Sequence, residues 1–191
     1  MNTMNISIVV GIVLFLAIIF ILIYNSMVRL RNRVGEAWSG VDVQLKRRHD
    51  LVPNLVKTVR TYASHERAAL ERTIEARTEA MRALGSSPRA EAKAEASLTQ
   101  ALSGVTAVAE DYPDLRAAEN FQELQRELSQ IEDEIQASRR IYNTNTQSYN
   151  TKIQIFPNSI VAGMTGFKPK EYFEIDPADR EPVESGSGGT T

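Results

Sequence analysis

The sequence predicts an all-α protein held in a membrane, and three observations carry that prediction. An uncharged apolar run of 19 residues, Ile6 to Tyr24, stands near the N-terminus. Beyond it, apolar residues recur at steps of three and four along most of the chain, the period of a helix with one buried face. With 10 Gly and 7 Pro in 191 residues, little of the chain is left for loops. The expected architecture is an N-terminal transmembrane helix continuing into an antiparallel bundle of three to four long helices. Residues 1–5 would form a short extracytoplasmic tail, 6–24 the span, 25–175 the bundle and 176–191 a disordered tail.

The span comes first. At about 1.5 Å per residue it reaches about 28 Å, close to the ~30 Å hydrocarbon core of a bilayer. A cleaved signal peptide needs a basic leader and small residues before the cut. No Lys or Arg precedes Ile6, and Leu22, Ile23, Tyr24 and Asn25 offer no such site. Arg29, Arg31 and Arg33 follow the span directly, with Lys46, Arg47 and Arg48 further on. Basic flanks stay cytoplasmic, which puts the N-terminus outside and the body inside. The lipid bilayer is therefore a partner, and the same arginines can meet anionic headgroups.

The stripe after the span runs through Val34, Trp38, Val41, Leu45, Val52, Leu55, Val59, Tyr62, Leu70, Ile74 and Met81. It predicts one long helix leaving the bilayer and continuing to the Gly85-Ser86-Ser87-Pro88 turn. Pro53 removes a backbone donor and crowds the carbonyl of His49, so a kink or a break belongs there. The stripe resumes in phase after it, which favours a kink, and a sharp fold-back would make the bundle four helices. A second helix is expected over Pro88–Tyr112, with Ser87 as cap and Pro88 in the first turn. Pro113-Asp114 makes the next turn. A third helix then starts near Asn120, whose spacing to Glu123 matches a capping box, and stops at Phe156-Pro157. Asn158 to Ile175 reads as a short helix and an extended segment laid over the bundle.

Charge pairs these helices. Arg29 to Arg72 carries ten basic and five acidic residues, whereas Glu110 to Arg140 carries nine acidic and four basic. The first and third helices should therefore be neighbours. A net charge of −2 argues against a nucleic-acid partner, and the absence of Cys excludes disulfides, thiolate metal sites and thiol nucleophiles.

No motif for chemistry stands out. His65-Glu66 opens like a zinc-protease HExxH, but the fifth position is Ala69. Glu132, Asp133 and Glu134 are consecutive and fan around a helix. Tyr142-Asn143 and Tyr149-Asn150 repeat at seven residues on one face, a pattern that core-edge hydrogen bonding explains as well as a ligand site. His49, Asp50 and Pro53 are the remaining candidates. Their bland reading is a satisfied kink; their sharper one is a pH- or ligand-responsive hinge. No catalytic residue, metal or cofactor is expected.

Several runs are more specific. These are Tyr24-Asn25, Val28-Arg29-Leu30-Arg31-Asn32, Ala37-Trp38, the stretch VQLKRRHDLVPNLV over 43–56, Tyr112-Pro113-Asp114-Leu115, Arg139-Arg140 with Tyr142-Asn143, and Phe156-Pro157-Asn158. On these residues the sequence resembles the LemA family of bacterial membrane-anchored proteins, from about Tyr24 to Ile175 and most weakly over Ala80 to Ala96. The resemblance implies a helical bundle behind an anchor in the cytoplasmic (inner) membrane, with no established activity or ligand. It also implies ties to magnetosome membranes and to membrane metalloproteases, and so a scaffold or adaptor. The functional expectation is a non-enzymatic, self-associating scaffold that organises membrane or membrane-protein partners; the alternative is an envelope sensor or ligand-binding module using a pH- or ligand-responsive kink near His49–Pro53.

Overall fold

The computed structural model describes residues 3–174, and the expected disordered tail at 176–191 lies outside them. In chain order the helices are α1 (Thr3–Tyr62), α2 (Arg67–Ala83), α3 (Pro88–Asp111), α4 (Pro113–Ala117), α5 (Glu119–Gln154) and α6 (Asn158–Thr165). No strand occurs among the described residues. Four long helices form the bundle. α5 lies antiparallel along α1, and α2 and α3 form a hairpin whose first arm folds back onto α1.

α1 is a single helix of 60 residues that contains both the apolar run and the start of the bundle. The side chains from Ile8 to Ile18 face outward, with Ile19 and Phe20 partly covered before Ile21 and Leu22 face outward again. Burial begins at Met27 and recurs at Val34, Val41, Leu45, Val52, Leu55, Val56 and Val59; of the predicted stripe, Trp38 is only partly buried, and Tyr62 and Met81 are exposed.

The break falls elsewhere than predicted. α1 does not run on to the glycine turn; it ends at Tyr62, and Ala63 to Glu66 turn the chain into α2. Ala63 N–H donates to the Val59 carbonyl at 2.8 Å and Glu66 N–H to the Ala63 carbonyl at 3.2 Å. The stripe itself lapses here, since Tyr62 to Leu70 is a step of eight without an apolar residue larger than alanine. Pro53, by contrast, stays inside the helix.

The remaining boundaries follow local chemistry. Gly85 adopts φ +79°, and the Ser87 hydroxyl accepts from Ala90 N–H at 3.3 Å, capping α3 as expected. The Pro113 turn is in fact the five-residue α4. α5 starts one residue before Asn120, so Asn120 is no cap; its carboxamide accepts from the neighbouring Phe121 N–H.

After α6, capped by Gly166 at φ +76°, the chain runs extended back along α5. The Tyr-Asn repeat holds it. Asn150 accepts from Lys170 N–H and donates to the Lys170 carbonyl, both at 2.8 Å. Asn143 does the same with Phe173, at 2.9 and 3.4 Å. Tyr149 and Tyr142 donate to the carbonyls of Lys168 and Glu171. Seven helical residues rise about 10.5 Å, and three extended ones span about 10 Å, so a heptad on α5 matches a three-residue step on the strap. Each carboxamide imitates one rung of a β-ladder.

Candidate functional site

The core is divided into two apolar layers. One holds Val41, Leu45, Ala92, Ile131 and Ile135; the other holds Val52, Leu55, Leu98, Val105 and Phe121. Between them, on α1, lie Arg48 and His49, and on α3 lies Glu95, all buried. The boundary is therefore a polar layer crossing the bundle.

Its geometry is closed. The Arg48 guanidinium donates to the Glu95 carboxylate, to Glu132 Oε2 on α5 at 2.7 Å and to the Thr99 hydroxyl at 3.0 Å. His49 Nε2 meets the other Glu95 oxygen at 2.7 Å, so the ring proton sits on Nε2, and Nδ1 is left without a partner. Burial alone would raise the Glu95 carboxyl; the hydrogen bonds and charges of His49 and Arg48 outweigh it and hold the group below its ordinary value. One arginine thus ties α1 to both α3 and α5.

Pro53 belongs to the same layer through the backbone. It has no N–H for the His49 carbonyl one turn back. Arg77 on α2 supplies the missing donor, its Nε reaching the His49 carbonyl at 2.6 Å. The proline thereby turns an intrahelical bond into one between helices. Arg77→Ala should cost about 1–3 kcal/mol by stranding that carbonyl. Pro53→Ala restores the N–H, so in its background Arg77→Ala should cost much less. A double-mutant cycle by denaturant titration checks this, and additive effects would contradict it.

A second acidic pair flanks the layer. Glu91 is buried on α3; Oε1 accepts from Gly85 N–H at 2.7 Å, whereas Oε2 and one oxygen of Asp42 on α1 have no partner. Burial pushes the Glu91 carboxyl up to about 7, opposed by the Gly85 hydrogen bond and reinforced by the charges of Asp42 and Glu95. With the native pKa above the unfolded one, this group's contribution is intact below the unfolded value of 4.5 and is lost as pH rises to about 7. Glu91→Gln keeps the acceptor and removes the charge. Thermal melts should show the wild type losing stability across that window relative to the variant; parallel profiles would contradict the assignment.

The residues singled out from sequence separate here. His49 is in the layer, Pro53 is exposed and joins it only through Arg77, and Asp50 points to solvent beside Arg47 and Glu127. Arg29, Arg31 and Arg33 are exposed just beyond the apolar run. Arg31 stacks over the Phe167 ring at 5.2 Å, and the Arg33 carbonyl accepts from Asn145. Sequence reading missed Arg48, Glu91 and Glu95. The signal was the stripe itself: stepping back from Val105 through Leu102 and Leu98 by threes and fours lands on Glu95 and Glu91, acids at core positions.

The predicted pairing of α1 with α5 is observed, with Arg48 on Glu132 and Arg47 on Glu134 at 2.8 Å. No group of three or more His, Cys, Asp or Glu placed to hold a metal occurs among the described residues.

Magnetosome protein MamQ 2 of Paramagnetospirillum magneticum is 28% identical over 92% of this chain and 73% of its own length. Magnetosome protein MamQ of Magnetospirillum gryphiswaldense is 27% identical over 84% and 68%. Protein LemA of Metamycoplasma hominis is 24% identical over 84% and 73%. The LemA family model matches residues 37–185, which take in Trp38, the ionic layer and the Tyr-Asn strap. The chain belongs to the LemA family.

Proposed function

We propose that this chain is a non-enzymatic, single-pass scaffold of the bacterial inner membrane, with its N-terminus outside and its bundle in the cytoplasm. It self-associates and holds membrane or membrane-protein partners, membrane proteases among them, at a fixed distance from the bilayer. The observation that carries this reading is the continuity of α1, which makes the apolar segment and the bundle one rod. A hinge between anchor and domain would suit a tethered enzyme; a rod suits a spacer. The arginines at 29, 31 and 33 favour the cytoplasmic side for the bundle. Relatives named as magnetosome proteins and as LemA fit the same reading.

Native-size analysis of the full chain in mild detergent tests it. An oligomer, or a co-purifying membrane protein, is the expected result; a strict monomer with nothing bound contradicts it. Protease protection in inverted and right-side-out vesicles tests the orientation.

A second reading draws on the ionic layer. His49, whose ring meets Glu95 on α3 and whose own carbonyl, freed by Pro53, accepts from Arg77 on α2, has the placement of a pH- or ligand-responsive hinge. Unchanged helix geometry and stability in His49→Ala between about pH 5 and pH 8 would remove it.

A further inference from the structure

The antiparallel register of α1 and α5 fixes a height for everything that follows α5. Glu132 meets Arg48, Glu134 meets Arg47, Tyr142 meets Trp38 and Asn145 meets Arg33. In each pair the two residue numbers total about 180, so Gln154, the end of α5, lies level with Ser26. The chain beyond it reaches the depth of the apolar run. Phe20 and Ile23 of α1 pack on the cluster that contains Val161 and Ala162 of α6, and the Tyr24 ring meets Phe167 at 5.7 Å.

At this depth α6 and the turn before it present apolar side chains away from the protein. Phe156 is 80% exposed, Met164 74%, Ile160 55% and Ile155 47%. From Ile155 to Phe167 there is no charged residue, and Lys152, Lys168 and Lys170 flank the run. So large a cluster of exposed apolar side chains is unusual on a wet surface.

We propose that α6 and the Phe156 turn before it lie in the bilayer interface, as an in-plane second attachment beside the transmembrane segment. The proposal rests on the reading of α1 as the span. If Phe20 to Tyr24 are in lipid, side chains at the same height on the outer face of α6 meet the same medium. Apolar residues then enter the acyl boundary by about 5–10 Å, while the flanking lysines extend to headgroup phosphates. A second copy of the chain is the rival occupant. It is disfavoured because that face adjoins the outward-facing span rather than the bundle's flank, and basic flanks on both copies would meet.

The absence of cysteine makes the test direct, since each introduced thiol is the sole labelling site. Full-length Met164→Cys, Ile160→Cys, Phe15→Cys and Ala107→Cys are spin-labelled and placed in phosphatidylcholine vesicles with a minor share of phosphatidylglycerol. Collision with dissolved oxygen is compared with collision with a water-soluble nickel chelate. Labels at 164 and 160 should favour oxygen several-fold, as at 15, while 107 favours nickel. If 15 reads lipid but 164 and 160 read water, the interfacial attachment is overturned and the span stands. Labels at 164 and 160 shielded from both reagents would mean a protein neighbour, which also overturns it. Water at 15 would remove the span on which the proposal rests.

Discussion

Glu95→Ala is expected to destabilise the bundle by about 3–5 kcal/mol, the cost of leaving a buried partner charge uncompensated. Glu95 is the centre of the layer: one oxygen takes the Arg48 guanidinium and the other takes His49 Nε2. Removing its side chain leaves Arg48, already without a partner on Nε, with Glu132, Thr99 and a 3.5 Å contact to the backbone carbonyl of residue 95, and strips the His49 ring of its hydrogen bond. The ion pair of Arg47 with Glu134 is the contrast, since its arginine is half exposed. Arg47→Ala should cost no more than about 1 kcal/mol. Denaturant titration of both variants in mild detergent separates the two cases, and similar costs would show that the layer is not a dry electrostatic unit. Replacing Arg48, His49 and Glu95 together by apolar residues need not destabilise at all, because a buried ionic set often contributes register rather than net stability. Between two apolar layers that could slide by a turn, a single polar layer admits one alignment of α1, α3 and α5.

Phe173→Ala should release the strap while the bundle remains folded. Phe173 is buried beneath the strap, with Trp38 at 5.8 Å and the Arg139 guanidinium at 5.0 Å from its ring. Truncating a buried phenylalanine costs about 3–5 kcal/mol. The strap is the last described segment and can open locally, so the loss is taken from its own opening equilibrium rather than from global unfolding. Hydrogen exchange at the Lys170 and Phe173 amides, held by Asn150 and Asn143, should accelerate by about two to three and a half orders of magnitude. The α5 amides near Ile135 should keep their protection. Unchanged exchange at Lys170 and Phe173 would show that the carboxamide rungs hold the strap without its aromatic anchor.

Much of this fold was legible because it rests on local chemistry. The apolar run, the stripe from Val34 to Val59, the Ser87-Pro88 start of α3 and the charge complement of α1 and α5 are all properties of short windows. The turn at Ala63 to Glu66 was hidden because it uses no glycine or proline; its trace is the lapse of the stripe between Tyr62 and Leu70. At Pro53 the sequence left a kink or a break open, and the helix runs through the proline. Its freed carbonyl is satisfied by Arg77, 28 positions away in sequence, and so the helix survives. The same holds for the site. A repeat such as Tyr142-Asn143 and Tyr149-Asn150 is visible in sequence, but its partner is a backbone segment 19–30 residues further on. Glu91 and Glu95 fall on the stripe of α3, but what Glu95 meets there, Arg48 and His49, is supplied by a helix more than 40 positions earlier.

The central claim is that the apolar segment and the bundle are one unbroken helix, and a single distance tests it. Leu22 and Gly40 are both exposed, and a side chain added at Gly40 meets nothing within 4 Å. They are five turns apart on the same face, about 27 Å along an ideal helix. Spin labels at Leu22→Cys and Gly40→Cys, diluted with unlabelled chain in lipid nanodiscs, should give one narrow distance distribution near that value by pulsed electron resonance. A broad or clearly shorter distribution would place a hinge between anchor and bundle and contradict the rod.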